Sequence, residues 1–210
     1  MGIYGNCVLP RLIHLAMRHP VARERREALV PQASGSVLEI GIGSGLNLPY
    51  YSAGAHRLLG VDPSEPLLRL AKKTTDIRGI GPSQSGLGLV CGSAERLPFP
   101  DRSFDSLLMT WTLCSIPEPR TALVEMRRVL KVDGRLFFIE HGLAPDDSVR
   151  RWQRRLTPMW RRIAGGCHLD RRVDQLIESA GFRIEALDTQ YVRGPRLLTY
   201  FYEGRASPTR

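Results

Sequence analysis

The chain has 210 residues, of which 42% are hydrophobic, and a formal net charge of +9. This length can bury one sizeable hydrophobic core, so we predict a single domain over residues 1–210. Neither end carries an apolar run of about 18 residues, which argues against a membrane span. The first residues lack a charged region followed by an apolar stretch, so we expect no signal peptide.

Four cysteines are spread along the chain without a CxxC pair: Cys7, Cys91, Cys114 and Cys167. This spacing predicts neither a metal site nor a disulfide framework, and it favours a reducing, cytoplasmic location.

The arginines concentrate in residues 18–26 and 150–172. Such clusters can attract nucleic acid or an anionic membrane surface, although solvated helix faces are the commoner explanation. Because aromatic residues do not alternate regularly with these arginines, nucleic-acid binding is not expected.

In chain order, residues 1–33 form a leader whose apolar and basic positions predict helix over 7–30. Short strands are predicted at 37–40, 57–61 and 87–91, with a helix that Ser64 caps and an exposed loop at 79–88. A fourth strand follows at 104–109. Apolar residues at helical spacing then run from Ala122 to Leu130, and Gly134 ends that helix before a fifth strand at 135–141.

Residues 34–141 therefore form the core, and residues 142–182 form a helical region on one side of it. Segments 183–192 and 197–203 flank Gly194-Pro195, which predicts a closing antiparallel hairpin within residues 183–210. Strands that alternate with helices predict an α/β fold with a mostly parallel, doubly wound sheet.

The strongest local signal is a glycine turn directly after the first strand, at residues 39–45 with Gly41, Gly43 and Gly45. Glycines let the backbone turn sharply and approach a ligand closely. Asp62, at the end of the next strand, has the spacing of an acidic residue that binds ribose hydroxyls. A dinucleotide site is the alternative, but its G-x-G-x-x-G fingerprint requires glycine where Leu46 stands.

Residues 37–45, 60–64, 92–99 and 127–134, in this order, resemble the motifs of class I S-adenosylmethionine-dependent methyltransferases. The resemblance implies a Rossmann-like, seven-stranded, mostly parallel sheet with an antiparallel C-terminal strand and helices on both faces. It also implies S-adenosylmethionine as the methyl donor. Ser93 stands where the family has Asp, so the contact to the adenine amino group passes to Glu95 or water. The donor-binding residues that the resemblance implies are Glu39, Gly41, Ile42, Gly43, Gly45, Asn47, Asp62, Pro63, Ser93, Ala94, Glu95 and Thr110.

Residues 152–153, 157–160 and 166–169, together with Leu113-Cys114-Ser115 and Glu140-His141, are similar to a narrower group of thiol S-methylating proteins. This similarity predicts a small, apolar thiol as the methyl acceptor. A quinone-type ring, a lipid headgroup and a donor-binding role without catalysis remain as alternatives. His141, at the end of the fifth strand, is the predicted base for the acceptor. Basic and aromatic residues over 150–162 predict weak contact with an anionic membrane surface.

Overall fold

The computed structural model describes residues 8–78 and 87–209, without the side chains of residues 75–78. Six α-helices and seven β-strands lie within these ranges. In chain order they are α1 (Leu9–Ala16), α2 (Pro20–Leu29), β1 (Ser36–Ile40), β2 (Arg57–Asp62), α3 (Glu65–Arg78), β3 (Leu87–Cys91), β4 (Phe104–Thr110), α4 (Pro119–Val129), β5 (Leu130–His141), α5 (Asp147–Ile163), α6 (Val173–Ser179), β6 (Phe182–Tyr191) and β7 (Tyr200–Pro208).

The seven strands form one sheet in the order β3-β2-β1-β4-β5-β7-β6. Strands β1 to β5 pair in parallel, and β7 runs antiparallel between β5 and β6. The predicted α/β fold is therefore confirmed, with its antiparallel closing hairpin. The strand order reverses between β1 and β4, and a crevice opens at such a reversal beside the carboxyl ends of the strands.

Each face of the sheet packs against its own set of helices, because successive strand residues point to opposite faces. On one face, Leu38, Leu107 and Phe138 pack with buried residues of α4 and α6. On the other face, Val37 and Leu108 belong to a second cluster that includes residues of α2 and α3. Central strands covered on both sides read as nearly continuous apolar runs, as β4 does.

Within the described residues, the helix predicted over 7–30 is present as two helices, α1 and α2, and Pro20 is the first residue of α2. The predicted cap is also confirmed, since the backbone N–H of Leu67 donates to Ser64 Oγ over 3.4 Å. Of the predicted loop 79–88, residues 79–86 lie outside the described residues, and Leu87 and Gly88 already belong to β3. None of the helices in the described ranges is long and apolar enough to cross a membrane.

The predicted boundary between the fourth helix and the fifth strand is wrong. The helix ends at Val129, and β5 already begins at Leu130, so Gly134 lies inside the strand rather than at a helix stop. Leu130 pairs with Phe104 of β4, and the register shifts between Phe104 and Ser106. Strand pairing thus overrides the helical spacing of Leu130. The last strand is also displaced from 197–203, since β7 runs from Tyr200 to Pro208.

Candidate active site

The glycine turn leaves β1 at the reversal point and has three residues in the left-handed region. The φ angles are 69° at Gly41, 56° at Gly43 and 76° at Gly45. A Cβ atom at Gly41 would lie 2.3 Å from Thr112 Oγ1, and one at Gly45 would lie 2.7 Å from a methyl of Leu48. Glycine is therefore required here both for the backbone conformation and for the close packing.

Asp62 ends β2 beside this turn and is nearly buried. Its Oδ2 accepts the N–H of Gly43 over 2.9 Å, and its Oδ1 accepts the N–H of Ser64 over 2.8 Å. Burial raises the pKa of Asp62, while these two amides act in the opposite direction. Each carboxylate oxygen has a second lone pair that stays available to a ligand hydroxyl.

Glu39, in β1, is the centre of a buried polar network. Its Oε1 accepts from Asn47 Nδ2 and its Oε2 accepts from the Tyr51 hydroxyl, both over 2.8 Å. Burial raises the pKa of Glu39 to about 7, even though these hydrogen bonds oppose the shift. Asn47 Nδ2 also donates to Thr110 Oγ1 over 2.9 Å. The network therefore joins β1, the glycine turn and the end of β4.

Arg26 connects the N-terminal helices to this network, and the sequence analysis missed it. Its Nε donates to Asn47 Oδ1 over 2.9 Å, and one of its Nη atoms donates to the Met17 carbonyl over 2.8 Å. The guanidinium carbon lies 4.8 Å from the ring centre of Trp111, at cation–π distance. A buried arginine in a helix otherwise rich in exposed charges has no sequence signal, because its burial depends on how α2 docks.

A cavity of about 740 Å³ opens over the turn, a volume typical of small-molecule sites. Ten of the predicted donor-binding residues line it: Glu39, Gly41, Ile42, Gly43, Asn47, Asp62, Pro63, Ser93, Ala94 and Thr110. These residues fit S-adenosylmethionine, since the turn offers a surface without Cβ atoms and Asp62 offers a carboxylate at the strand end. The individual ligand contacts of these residues stay predictions.

Three predicted site residues are not in the cavity lining. Gly45 packs against Leu48 instead, below the turn. Glu95 accepts the Ser93 hydroxyl over 2.9 Å and the Glu118 N–H over 2.7 Å. It therefore holds the loop after β3 against the N-terminus of α4.

His141 also lies outside the lining, and its ring is nearly buried at the end of β5. Its Nε2 contacts the Cys167 sulfur at 3.1 Å. Burial lowers the pKa of His141, but the contact with Cys167 and the nearby Glu140 carboxylate together outweigh this effect and raise the pKa above the usual value. The predicted role of His141 as a base has no support from this position.

The loop after β4 forms one wall of the cavity, and buried groups hold it firmly. Glu140 Oε1 accepts the N–H groups of Thr112 and Leu113 over 2.7 and 2.9 Å. Trp111 has a φ of 50°, which is strained for a bulky residue. Such strain occurs where the surroundings fix a functional conformation. Trp111, Thr112 and Ser115 all line the cavity.

The part of the cavity that α1 and the β4–α4 loop line is mostly apolar. Helix α1 and the residue after it contribute Leu9, Ile13, His14 and Met17, and Ile116 and Pro117 come from the β4–α4 loop. His14 is the titratable side chain of this set, and its Nδ1 lies 2.8 Å from Ser44 Oγ. Burial lowers the pKa of His14, so its ring is neutral near pH 7. Sequence analysis missed His14 because only docking of α1 brings it to the site.

Comparison with known proteins agrees with this geometry. Residues 38–138 match the family model described as a methyltransferase domain. The chain is 36% identical over 157 residues to the thiol S-methyltransferase TMT1B of Rattus norvegicus, covering 74% of this chain and 63% of that protein. It is 31% identical over 157 residues to a demethylmenaquinone methyltransferase of Thermobifida fusca, covering 73% and 64%. The chain thus spans less than two thirds of the length of these relatives.

Among solved structures, a SAM-dependent methyltransferase of Methanosarcina mazei superposes with a TM-score of 0.68 at 20% identity. The superposition covers 91% of this chain and 98% of that one, which establishes the shared fold. The fold, the matched motifs and the lining of the cavity lead to one assignment. The chain carries a class I S-adenosylmethionine-dependent methyltransferase domain.

Proposed function

We propose that this chain transfers a methyl group from S-adenosylmethionine to a small, apolar thiol. The observation that carries the proposal is the mostly apolar part of the cavity that α1 and the β4–α4 loop line. Among the lining residues that α1 and this loop contribute, His14 is the titratable one. A thiol has a pKa of about 8.5 and ionises with little help, whereas an alcohol needs a strong base. The similarity to rat thiol S-methyltransferase TMT1B supports the same acceptor.

The residues of this site act by positioning. The donor supplies an electrophilic methyl group on a sulfonium. An acceptor thiolate would displace the methyl group from the donor sulfur, so that the new bond from carbon to sulfur forms as the donor's bond breaks, and the thiol proton would pass to solvent. Asp62 and the glycine turn hold the donor, while Trp111 and the helix α1 enclose the acceptor and exclude water. Alignment of this kind can supply several kcal/mol of the activation free energy.

A quinone-type acceptor is the second candidate, because a demethylmenaquinone methyltransferase is also among the relatives. A ring hydroxyl would have to lose its proton, and among the lining residues of α1 His14 is the side chain that could accept it. A lipid headgroup and a donor-binding role without catalysis are the further alternatives.

A screen with labelled donor tests the proposal against alkyl thiols, quinols, phenols and lipid headgroups. We expect the highest turnover with thiols and a rate that rises with pH up to about 8.5, the thiol pKa. Loss of activity in Asp62→Asn, with its near-identical shape, is the control that assigns turnover to this site. Turnover with quinols or lipids alone would refute the thiol acceptor. Tight donor binding without any turnover would identify a non-catalytic protein.

We also propose that α5 rests on an anionic membrane surface. Its exposed arginines are Arg151, Arg154, Arg155, Arg161 and Arg162. Trp152, Met159 and Ile163 on the same helix are 53%, 60% and 51% exposed. Basic and apolar residues together are typical of an interfacial helix, and each cation contributes about 1 kcal/mol near anionic lipid. Exposed leucines of α1, which also lines the cavity, would give an apolar acceptor a route from the lipid.

Co-sedimentation with anionic vesicles at low and high salt tests this contact. We expect binding at low salt that weakens at high salt, and loss of binding in Arg151→Glu/Arg154→Glu. The control variant Lys72→Glu/Lys73→Glu, which makes the same change of charge on α3, should keep most of the vesicle binding. Equal loss in both variants would mean that only net charge matters, and no binding at low salt would refute the contact.

A further inference from the structure

Two of the cysteines and one histidine meet although they are far apart in the sequence. Cys114 lies in the loop after β4, His141 ends β5, and Cys167 lies between α5 and α6. Their sulfur and nitrogen atoms all lie within 4.8 Å of one another. The closest pair is His141 Nε2 and Cys167 Sγ, at 3.1 Å. This cluster lies behind the cavity wall, and none of its three residues is among those that line the cavity.

Polar groups contact both sulfurs of the cluster. Trp160 Nε1 points its N–H at the Cys167 sulfur over 3.3 Å, which favours a thiolate there. The neighbouring Cys114 thiol and burial act against it and raise the pKa of Cys167, so a metal ion would have to displace the proton. Cys114 Sγ also contacts the Trp111 carbonyl at 3.7 Å and Ser115 Oγ at 3.5 Å. Both cysteines are free thiols.

We propose that Cys114, His141 and Cys167 bind a zinc ion. Zinc takes thiolate at about 2.3 Å and imidazole at about 2.0–2.1 Å, so the ligand atoms of a tetrahedral site lie about 3.5–3.8 Å apart. The cluster reaches this arrangement with small side-chain shifts, because its atoms already lie within 4.8 Å. Two sulfurs and one nitrogen, without a carboxylate, are soft ligands that select zinc over magnesium or calcium.

Three protein ligands leave one coordination position, which water would fill. The ion would also fasten the wall of the cavity. Ser115 lines the cavity next to Cys114, and the His168 N–H donates to the Cys114 carbonyl over 2.8 Å. The loop after β4 and the segment after α5 are therefore already joined at the backbone beside the cluster.

The spacing of the cysteines in the sequence does not indicate this cluster, because each ligand comes from a different loop or strand end. Sequence patterns for zinc rely on pairs of ligands a few residues apart, which this chain lacks. The zinc site does not depend on the proposed acceptor, since zinc binding can be measured without any turnover.

Zinc binding by the full, reduced chain tests the proposal. We expect one zinc per chain after gel filtration. We also expect Co²⁺ in its place to give the visible bands of a tetrahedral site and a sulfur-to-cobalt charge-transfer band. Cys114→Ser and Cys167→Ser should weaken zinc binding by about 100-fold or more, since even changes behind the ligands cost about 10–100-fold. Cys91→Ser, which changes an exposed cysteine, should bind zinc like the wild type.

The cobalt spectrum of the wild-type chain tests the zinc site even where a ligand variant fails to fold. Substoichiometric zinc in the reduced chain, or a cobalt spectrum without sulfur charge transfer, would overturn the proposal. A disulfide between Cys114 and Cys167 that forms in the presence of excess zinc would overturn it as well.

Discussion

Replacement of Gly41 by alanine tests how strictly the turn after β1 is constrained. Gly41 has a φ of 69°, and a Cβ there would lie 2.3 Å from Thr112 Oγ1 and 2.4 Å from Thr112 Cγ2. The left-handed conformation costs alanine about 1–2 kcal/mol. Overpacking against Thr112 adds about 1–3 kcal/mol, because this side chain is held by its bonds to the carbonyls of Ile40 and Thr110. Together these two costs predict a loss of about 2–5 kcal/mol in the free energy of unfolding.

Urea denaturation at fixed pH measures this loss, and titration of the folded variant with S-adenosylmethionine measures the effect on the site. Gly54→Ala is the matched control. A Cβ there would meet Ser34 and Ser52 at 3.4 Å, which is an ordinary contact, so its cost should stay below about 0.5 kcal/mol. If Gly41→Ala is as stable as Gly54→Ala, then neither the backbone strain nor the clash that we describe operates in solution.

Two further predictions concern the carboxylates of the site. Asp62→Ala should weaken donor affinity by about 2 kcal/mol or more, which is about 30-fold, through loss of two ribose hydrogen bonds. Calorimetry on the folded variant measures this, and unchanged affinity would contradict the role of Asp62. Burial raises the pKa of Glu39 from 4.5 to about 7, so the folded chain holds a proton that the unfolded chain releases. The free energy of unfolding should fall as pH rises from about 4.5 to about 7, by up to ~1.4 kcal/mol per pH unit for this group. Glu39→Gln should flatten that slope only in part, because burial raises the pKa of Glu140 to about 7 as well. A slope equal to that of the wild type would contradict the shift at Glu39.

The sequence by itself determined the arrangement of the strand ends around the donor site. A buried strand that ends in glycines, followed by a strand that ends in Asp62, places both at the carboxyl edge of a parallel sheet. The glycine turn and Asp62 follow from local patterns and the rules of parallel sheets, whereas the other predicted donor residues come from the resemblance to class I methyltransferases. Ten of the twelve line the cavity. Element boundaries were predicted less accurately, as at Leu130, because the same apolar residue fits a helix face and a paired strand.

Only the tertiary structure decided which distant residues join the site. Arg26 and His14 reach the cavity because α1 and α2 dock over it, and no pattern within these helices records that contact. The side chain of His141 contacts Cys167 and does not line the cavity, because the packing of the loop after α5 decides what covers the end of β5. The cluster of Cys114, His141 and Cys167 arises in the same way. Local sequence determines backbone conformation and periodicity, whereas contacts between segments depend on packing summed over the whole chain.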